Sequence, residues 1–162
     1  MVDKHYFVDT ARAAAVAYRE GRIEDLGRLR EEWIANTIYD HPMMYGEAVF
    51  MDHTYRGHLA LDAGDLETAK LELLRSGKAP TSAVLKSFGP NLSLGKRLLE
   101  AGEKEVVLKF LDYCKDFWLL PLRVLHLPRW KREIEAGKIP NFGGNMFYLM
   151  DMPELGEENE KE

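Results

Sequence analysis

The strongest constraint on this chain is a glycine turn that returns four times, each time after a run of helix-like sequence. The segments read EGRIEDLGRL from Glu20, AGDLETAKLELL from Ala63, AGEKEVVLKFL from Ala101 and AGKIP from Ala136. Their glycines, Gly21, Gly64, Gly102 and Gly137, lie 43, 38 and 35 residues apart. Glycine suits the residue just past a helix end, where the chain turns through a left-handed conformation that side chains oppose. Asp65 and Glu103 follow two of these glycines, where a carboxylate caps free amides or meets the positive end of the next helix. Spacings in the thirties and forties are those of stacked helix pairs, and their unevenness predicts a degenerate array.

Periodicity supports the helices one by one. Phe7, Ala11, Ala14 and Tyr18 form a stripe for a first helix, and Leu26, Leu29, Trp33 and Thr37 for a second. A third, roughly Met43 to Ala63, is apolar on most sides and carries Gly46, Gly57 and Ala60, small enough for a neighbour to approach closely. It is predicted to be the central, most buried helix. Leu66, Ala69 and Leu73 mark a fourth, while Val107, Phe110, Leu111, Cys114, Phe117 and Trp118 read as the wide apolar face of a sixth. Trp33, Leu73, Phe110, Cys114 and Phe117 are the predicted core.

Between the fourth and fifth helices, Gly77 to Pro90 is bounded by Pro80 and Gly89–Pro90, with a short helical turn at Ser82 to Phe88. Asn91 is predicted to cap the fifth helix, about Leu92 to Ala101. Pro121 and Pro128 should bend or break the stretch from Trp118 to Trp130. The chain divides into a helical-hairpin domain over 1–138, an apolar C-terminal arm over 139–153 packed on it, and an acidic, solvated tail over 154–162. The arm is too apolar for a free tail, yet Gly143 and Gly144 deny it a stable helix.

The run SFGPNLSL (Ser87 to Leu94), the following LLEAGEKEVVL, the Cys114–Phe117–Trp118 spacing and AGKIPNFG together resemble a group of bacterial tetratricopeptide-like helical proteins of unassigned activity. The resemblance covers roughly Tyr45 to Phe142 and implies an all-α fold: a degenerate tetratricopeptide-like stack of helical hairpins with an extended C-terminal arm. Relatives carry Asn where this chain has Glu47 and His where it has Phe50, in a YGNAIHH-like run that reads YGEAVFMDH here. If those polar groups form a site in the family, this chain has altered it. Pro121 and Pro128 also depart from the pattern.

Chemistry-bearing residues read blandly. A helical zinc site wants ligands three or four apart, whereas His53 and His58 are five apart, and His41 precedes the helix. No metal and no cofactor is predicted. His53 shares its face with Gly46 and Gly57, which suggests a partly buried, hydrogen-bonded histidine. Cys114, the sole cysteine, sits on an apolar stripe and reads as an inert core thiol rather than a nucleophile with His126 as base. Ser76-Gly77-Lys78 lacks the earlier glycine and the following hydroxyl of a phosphate loop. Asp62, Asp65 and Glu67 line turns, where capping explains them. Arg123, Arg129, Lys131 and Arg132 around Trp130 make one local basic patch. The chain as a whole carries 27 acidic against 22 basic residues, and that balance disfavours nucleic acid.

The functional expectation is a non-enzymatic interaction module, a scaffold or adaptor, whose concave helical surface takes a protein or peptide. One alternative is an enzyme or small-ligand binder with a pocket near Tyr45, Glu47, His53 and Tyr55, with Asn91 contributing. Another is a structural homo-oligomer subunit. The first twenty residues lack the apolar core of a signal peptide, and no later run approaches the length of a membrane span. The expectation is a cytoplasmic protein away from membranes.

Overall fold

The computed structural model describes residues 6–39 and 42–146. The side chain of Phe7, His41, the end of the predicted arm from 147 and the whole acidic tail lie outside the described residues. Among the described residues the chain is all-helical: α1 (Tyr6–Arg19), α2 (Ile23–Tyr39), α3 (Tyr45–Asp62), α4 (Leu66–Ser76), α5 (Ala83–Phe88), α6 (Ser93–Glu100), α7 (Lys104–Tyr113) and α8 (Leu122–Glu135). Short 3-10 turns at Pro42–Met44, Cys114–Asp116 and Gly143–Met146 complete it.

The four glycine turns are built alike. Gly21, Gly64, Gly102 and Gly137 have φ of 69°, 78°, 86° and 74°. At each turn the residue after the glycine donates its amide five residues back, as Arg22 to Ala17, Asp65 to Ala60, Glu103 to Leu98 and Lys138 to Glu133. The glycine itself donates three back. That is the Schellman closure, which satisfies carbonyls a helix end leaves open. The next helix starts at once after the first three turns. Asp65 caps α4 by accepting from the Thr68 amide at 3.0 Å. Glu103, at the same place before α7, makes no such bond and instead faces Lys70 of α4 at 3.4 Å.

The principal contacts join α1 to α2, α2 to α3, α3 to α4, α4 to α7 and α7 to α8. α3 is buried over most of its surface, and its glycines explain how neighbours reach it. A Cβ on Gly46 would stand 1.9 Å from the backbone oxygen of Pro80, and one on Gly57 would stand 2.2 Å from a methyl of Leu94. Trp33, Leu73, Phe110, Cys114 and Phe117 all lie in one core. Phe50 links Phe110 and Phe117: its ring centroid is 6.3 Å from that of Phe110, tilted, and 5.7 Å, edge-on, from that of Phe117.

The structure corrects three local expectations. The apolar stripe from Val107 to Trp118 is not one helix, because α7 ends at Tyr113 and Cys114 begins a 3-10 turn. Cys114, Phe117 and Trp118 reach the core from this turn. Pro121 does precede a helix start, but Pro128 lies inside α8 without ending it. Proline removes one helical donor, and the carbonyl left open belongs to Val124. Both residues are exposed, so water can serve that carbonyl. Third, the residue at the N-cap of α6 is Leu92, and Asn91 stands one place before it.

Phe110→Ala is expected to cost about 3–5 kcal/mol in urea unfolding, because the cavity would open between α4, α7 and Phe50. A loss below about 1 kcal/mol would mean that this part of the core can collapse around the void.

Candidate functional site

The five residues read from sequence as a pocket do not converge. Three of them leave α3 in different directions: at about 100° per residue, His53 points about 120° to one side of Glu47 and Tyr55 about 80° to the other. Tyr55 is fully buried in the core, and its ring lies 5.7 Å from that of Tyr18. Tyr45 is half-buried in the first turn. His53 bonds through Nδ1 to Glu72 of α4 at 2.6 Å, and Glu72 also accepts from Arg75 at 2.6 Å. Asn91 belongs to another group altogether.

Glu47 is the anomaly. It is wholly buried, and neither carboxyl oxygen has a hydrogen-bond partner among the described residues. Burial alone raises its pKa to about 8, so it is mostly a neutral acid at pH 7.

Asn91 anchors a directed chain of hydrogen bonds that the sequence did not reveal. Arg97 of α6 donates from Nη1 to His58 Nδ1 at 3.0 Å, which leaves the imidazole proton on Nε2. Nε2 donates to the Ser93 hydroxyl at 2.9 Å, and that hydroxyl donates to Asn91 Oδ1 at 2.6 Å. The same oxygen accepts from the Ser93 amide at 2.9 Å, so Asn91 serves the first turn of α6 from just outside the helix. At the other end Arg97 pairs with Asp62 at 2.7 Å, and Tyr18 donates to Asp62 at 3.2 Å. Burial first, and the Arg97 charge second, lower the His58 pKa to about 4. Burial first, then Asp62, raises that of Tyr18 to about 12.

This arrangement resembles a serine–histidine pair but runs the wrong way for nucleophilic catalysis. A base must accept the hydroxyl proton, whereas His58 gives its own to Ser93 and is held there by Arg97. The chain is a seam between α1, α3 and α6. Its sequence trace is two polar pairs spaced four apart, His58 with Asp62 and Ser93 with Arg97, on helices that face each other. A parallel seam joins Arg30 of α2 to Asp52 of α3 at 2.7 Å, with Arg56 closing on the same carboxylate at 2.7 Å. Cys114 is fully buried, and burial drives its thiol pKa well up, away from nucleophile chemistry. Among the described residues no cluster of three potential metal ligands occurs, and no helix is long and apolar enough to cross a membrane.

The C-terminal corner gathers segments far apart in sequence. Trp118, His126 and Trp130 stack pairwise at 5.3–5.5 Å, and Phe142 meets Trp130 edge-on at 5.1 Å. A Cβ on Gly89 would strike the Trp118 indole at 2.0 Å, so the indole fills the space a side chain would take. Asn145 donates its amide to the carbonyls of Phe88 and Pro90 at 2.9 and 3.0 Å, and its own carbonyl accepts from the Leu92 amide at 2.7 Å. Residues 142–145 are thus fastened to the 88–92 turn, while Ile139 stays 45% exposed.

Beside this corner, among the described residues, four apolar side chains close in sequence stand in solvent. Leu119, Leu120, Val124 and Leu125 are 58–62% exposed. Val124 also lines a groove of about 620 Å³ between α7 and α8, together with Leu111, Leu127 and Pro128. Its rim carries Asp112, Lys115, Asp116, Arg123 and Lys131. The basic patch seen in sequence is partly answered by acid here, since Lys131 pairs with Asp112 at 2.6 Å and Arg129 approaches Glu133 at 3.5 Å. Comparison with protein-family models, curated proteins and solved structures gives no match to this chain.

Two outcomes follow from the buried polar groups. Glu47 binds its proton more tightly folded than unfolded, so its contribution to stability falls as pH rises from about 4.5 to 8. His58 acts oppositely and only below pH 6.5, its unperturbed value, because the unfolded state then takes the proton first. Glu47→Gln should therefore be more stable than the parent at pH 7, by up to about 3 kcal/mol, with the gap closing toward pH 4.5. A gap that ignores pH in urea titrations would show that the acid is solvated. Asn91→Ala should cost about 1–2 kcal/mol, since it strips the acceptor from both Ser93 groups. Unchanged stability would mean that water replaces Asn91 at no cost.

Proposed function

We propose that this chain is a non-enzymatic interaction module built as a degenerate tetratricopeptide-like stack. The four alike glycine turns at 43-, 38- and 35-residue spacing support the repeat reading. The contact surface is the face at the start of α8, from Leu119 to Leu125, rather than the region round Tyr45, Glu47 and His53. One observation carries this: Leu119, Leu120, Val124 and Leu125 stand largely in solvent, and Val124 also lines a groove with a charged rim. Contiguous exposed apolar surface framed by polar groups marks interaction sites, because leaving it wet costs free energy that a partner recovers. The titratable groups of the interior, by contrast, are engaged across helix seams or held neutral by burial.

Photocrosslinking in cells tests the assignment. A benzoylphenylalanine replacing Val124 should give discrete protein adducts, whereas the same group at Leu71, an exposed apolar position on α4, should not. Indistinguishable patterns from the two positions would end this reading of the α8 face.

A further inference from the structure

We infer that the cleft between α8 and residues 141–145 binds a small organic acid, a carboxylate on an apolar body, with the carboxylate held at Arg129 and His126. The cleft shares no lining residue with the groove beside Val124, so this inference and the contact-face reading can fail separately.

The walls come from two places in the chain. His126, Arg129, Trp130 and Glu133 fall three or four apart and share one face of α8. Residues 141–145 form the other wall, and the cleft measures about 560 Å³, within the range of small-molecule sites. Both walls are held in place. Trp130 packs on His126 and Phe142, and the Asn145 side chain is tied to the carbonyls of Phe88 and Pro90. Arg129 spans the walls, donating from Nη2 to the Asn141 carbonyl at 3.3 Å. Trp130 and Phe142, both buried, bring apolar surface to the lining. A site whose walls are already placed loses little freedom when a ligand enters.

The uncommitted polar groups select the ligand. Neither ring nitrogen of His126 has a hydrogen-bond partner among the described residues, although the ring is held between Trp118 and Trp130. Nη1 of Arg129 and Nδ2 of Asn141 are likewise unengaged there. The indole N–H of Trp130 is buried without a partner. Against these donors stands one acid of the lining, Glu133, whose approach to Arg129 Nε is long at 3.5 Å. The cleft therefore offers more donors than acceptors. A carboxylate brings two acceptor oxygens and no donor, which suits a guanidinium fork with an imidazole three residues before it on the same helix face. A cation would meet the Arg129 charge, and a neutral amide would forgo the charge-assisted bonds.

Titration of the full chain with phenylacetate, followed by proton–nitrogen NMR, tests this. The Trp130 indole and the Gly143 and Gly144 amides should shift saturably, with a dissociation constant of about 1 mM or below, within reach of a ligand of about ten heavy atoms. Phenylacetamide, similar in shape but uncharged, should bind about tenfold or more weakly. Arg129→Met should weaken phenylacetate by about tenfold or more, with helical circular dichroism unchanged. Arg132→Met removes the same charge from an exposed position outside the lining and should bind within about twofold of the parent. No saturable shift at about 10 mM phenylacetate, well above that constant, overturns the inference. So does amide binding as tight as the acid, or undiminished binding by Arg129→Met. Shifts confined to Val124 and Leu125 would overturn it as well, since the probe would then sit on the contact face.

Discussion

A helix enclosed on most sides must find a partner for every polar group it carries, and α3 sets the terms for the rest of this structure. Asp52 reaches Arg30 of α2, His53 reaches Glu72 of α4, and His58 reaches Ser93 and Arg97 of α6. Three links leave one helix toward three neighbours, and each fixes the height of a neighbour against α3. Apolar packing alone tolerates sliding by a fraction of a turn, whereas a buried hydrogen bond made or lost is a difference of kilocalories. Gly57 belongs to the same arrangement, since it lets Leu94, next to Ser93, come close to α3, while Gly46 admits the Pro80 backbone on another side. Glu47 is the exception, a buried acid with no described partner, and its neutral state is what makes its burial tolerable.

Much of the helical framework was legible because its signals are local. A glycine just past a helix end can be read from one turn of sequence, and all four such glycines take the left-handed conformation. The small residues of α3 likewise announced close contact. Helix ends inside apolar runs were less legible. Nothing in the run from Val107 to Trp118 distinguishes a helical stripe from α7 followed by a 3-10 turn, since both keep Cys114 and Phe117 inside. The prolines were read together as bending or breaking the 118–130 stretch: the helix is interrupted before Leu122, but α8 runs through Pro128, where the carbonyl left open lies on an exposed face, and exposure is not written in local sequence.

The candidate site was the least legible part, because it depends on partners 19 to 39 residues away. His53 read correctly as a partly buried, bonded histidine, but Glu72 as its partner could not be named without the α3–α4 register. Tyr45, Glu47, His53 and Tyr55 looked like a cluster because they are polar or aromatic along one helix in sequence, and Asn91 was added from a separate turn. A helix sends such residues in different directions, and two of them end in the core. The direction of the Arg97–His58–Ser93–Asn91 chain was beyond reach of sequence altogether, since it follows from which imidazole nitrogen the guanidinium occupies.

The distribution of polarity across the molecule bears on where contact with other molecules is to be sought. Along α3, Asp52, His53 and His58 are engaged with neighbouring helices and Glu47 is held neutral by burial, so they have little left to offer a ligand without breaking a seam. At the start of α8 the order is reversed, with Val124 and Leu125 outward and an aromatic stack inward, while Arg129, Arg132 and Glu135 are exposed further along the helix. The stack and the Asn145 clamp hold the inner side of α8 against the 88–92 turn and Phe142. Its outer face is therefore presented on a supported helix, and binding there need not begin by ordering the chain, which lowers the entropic cost of association.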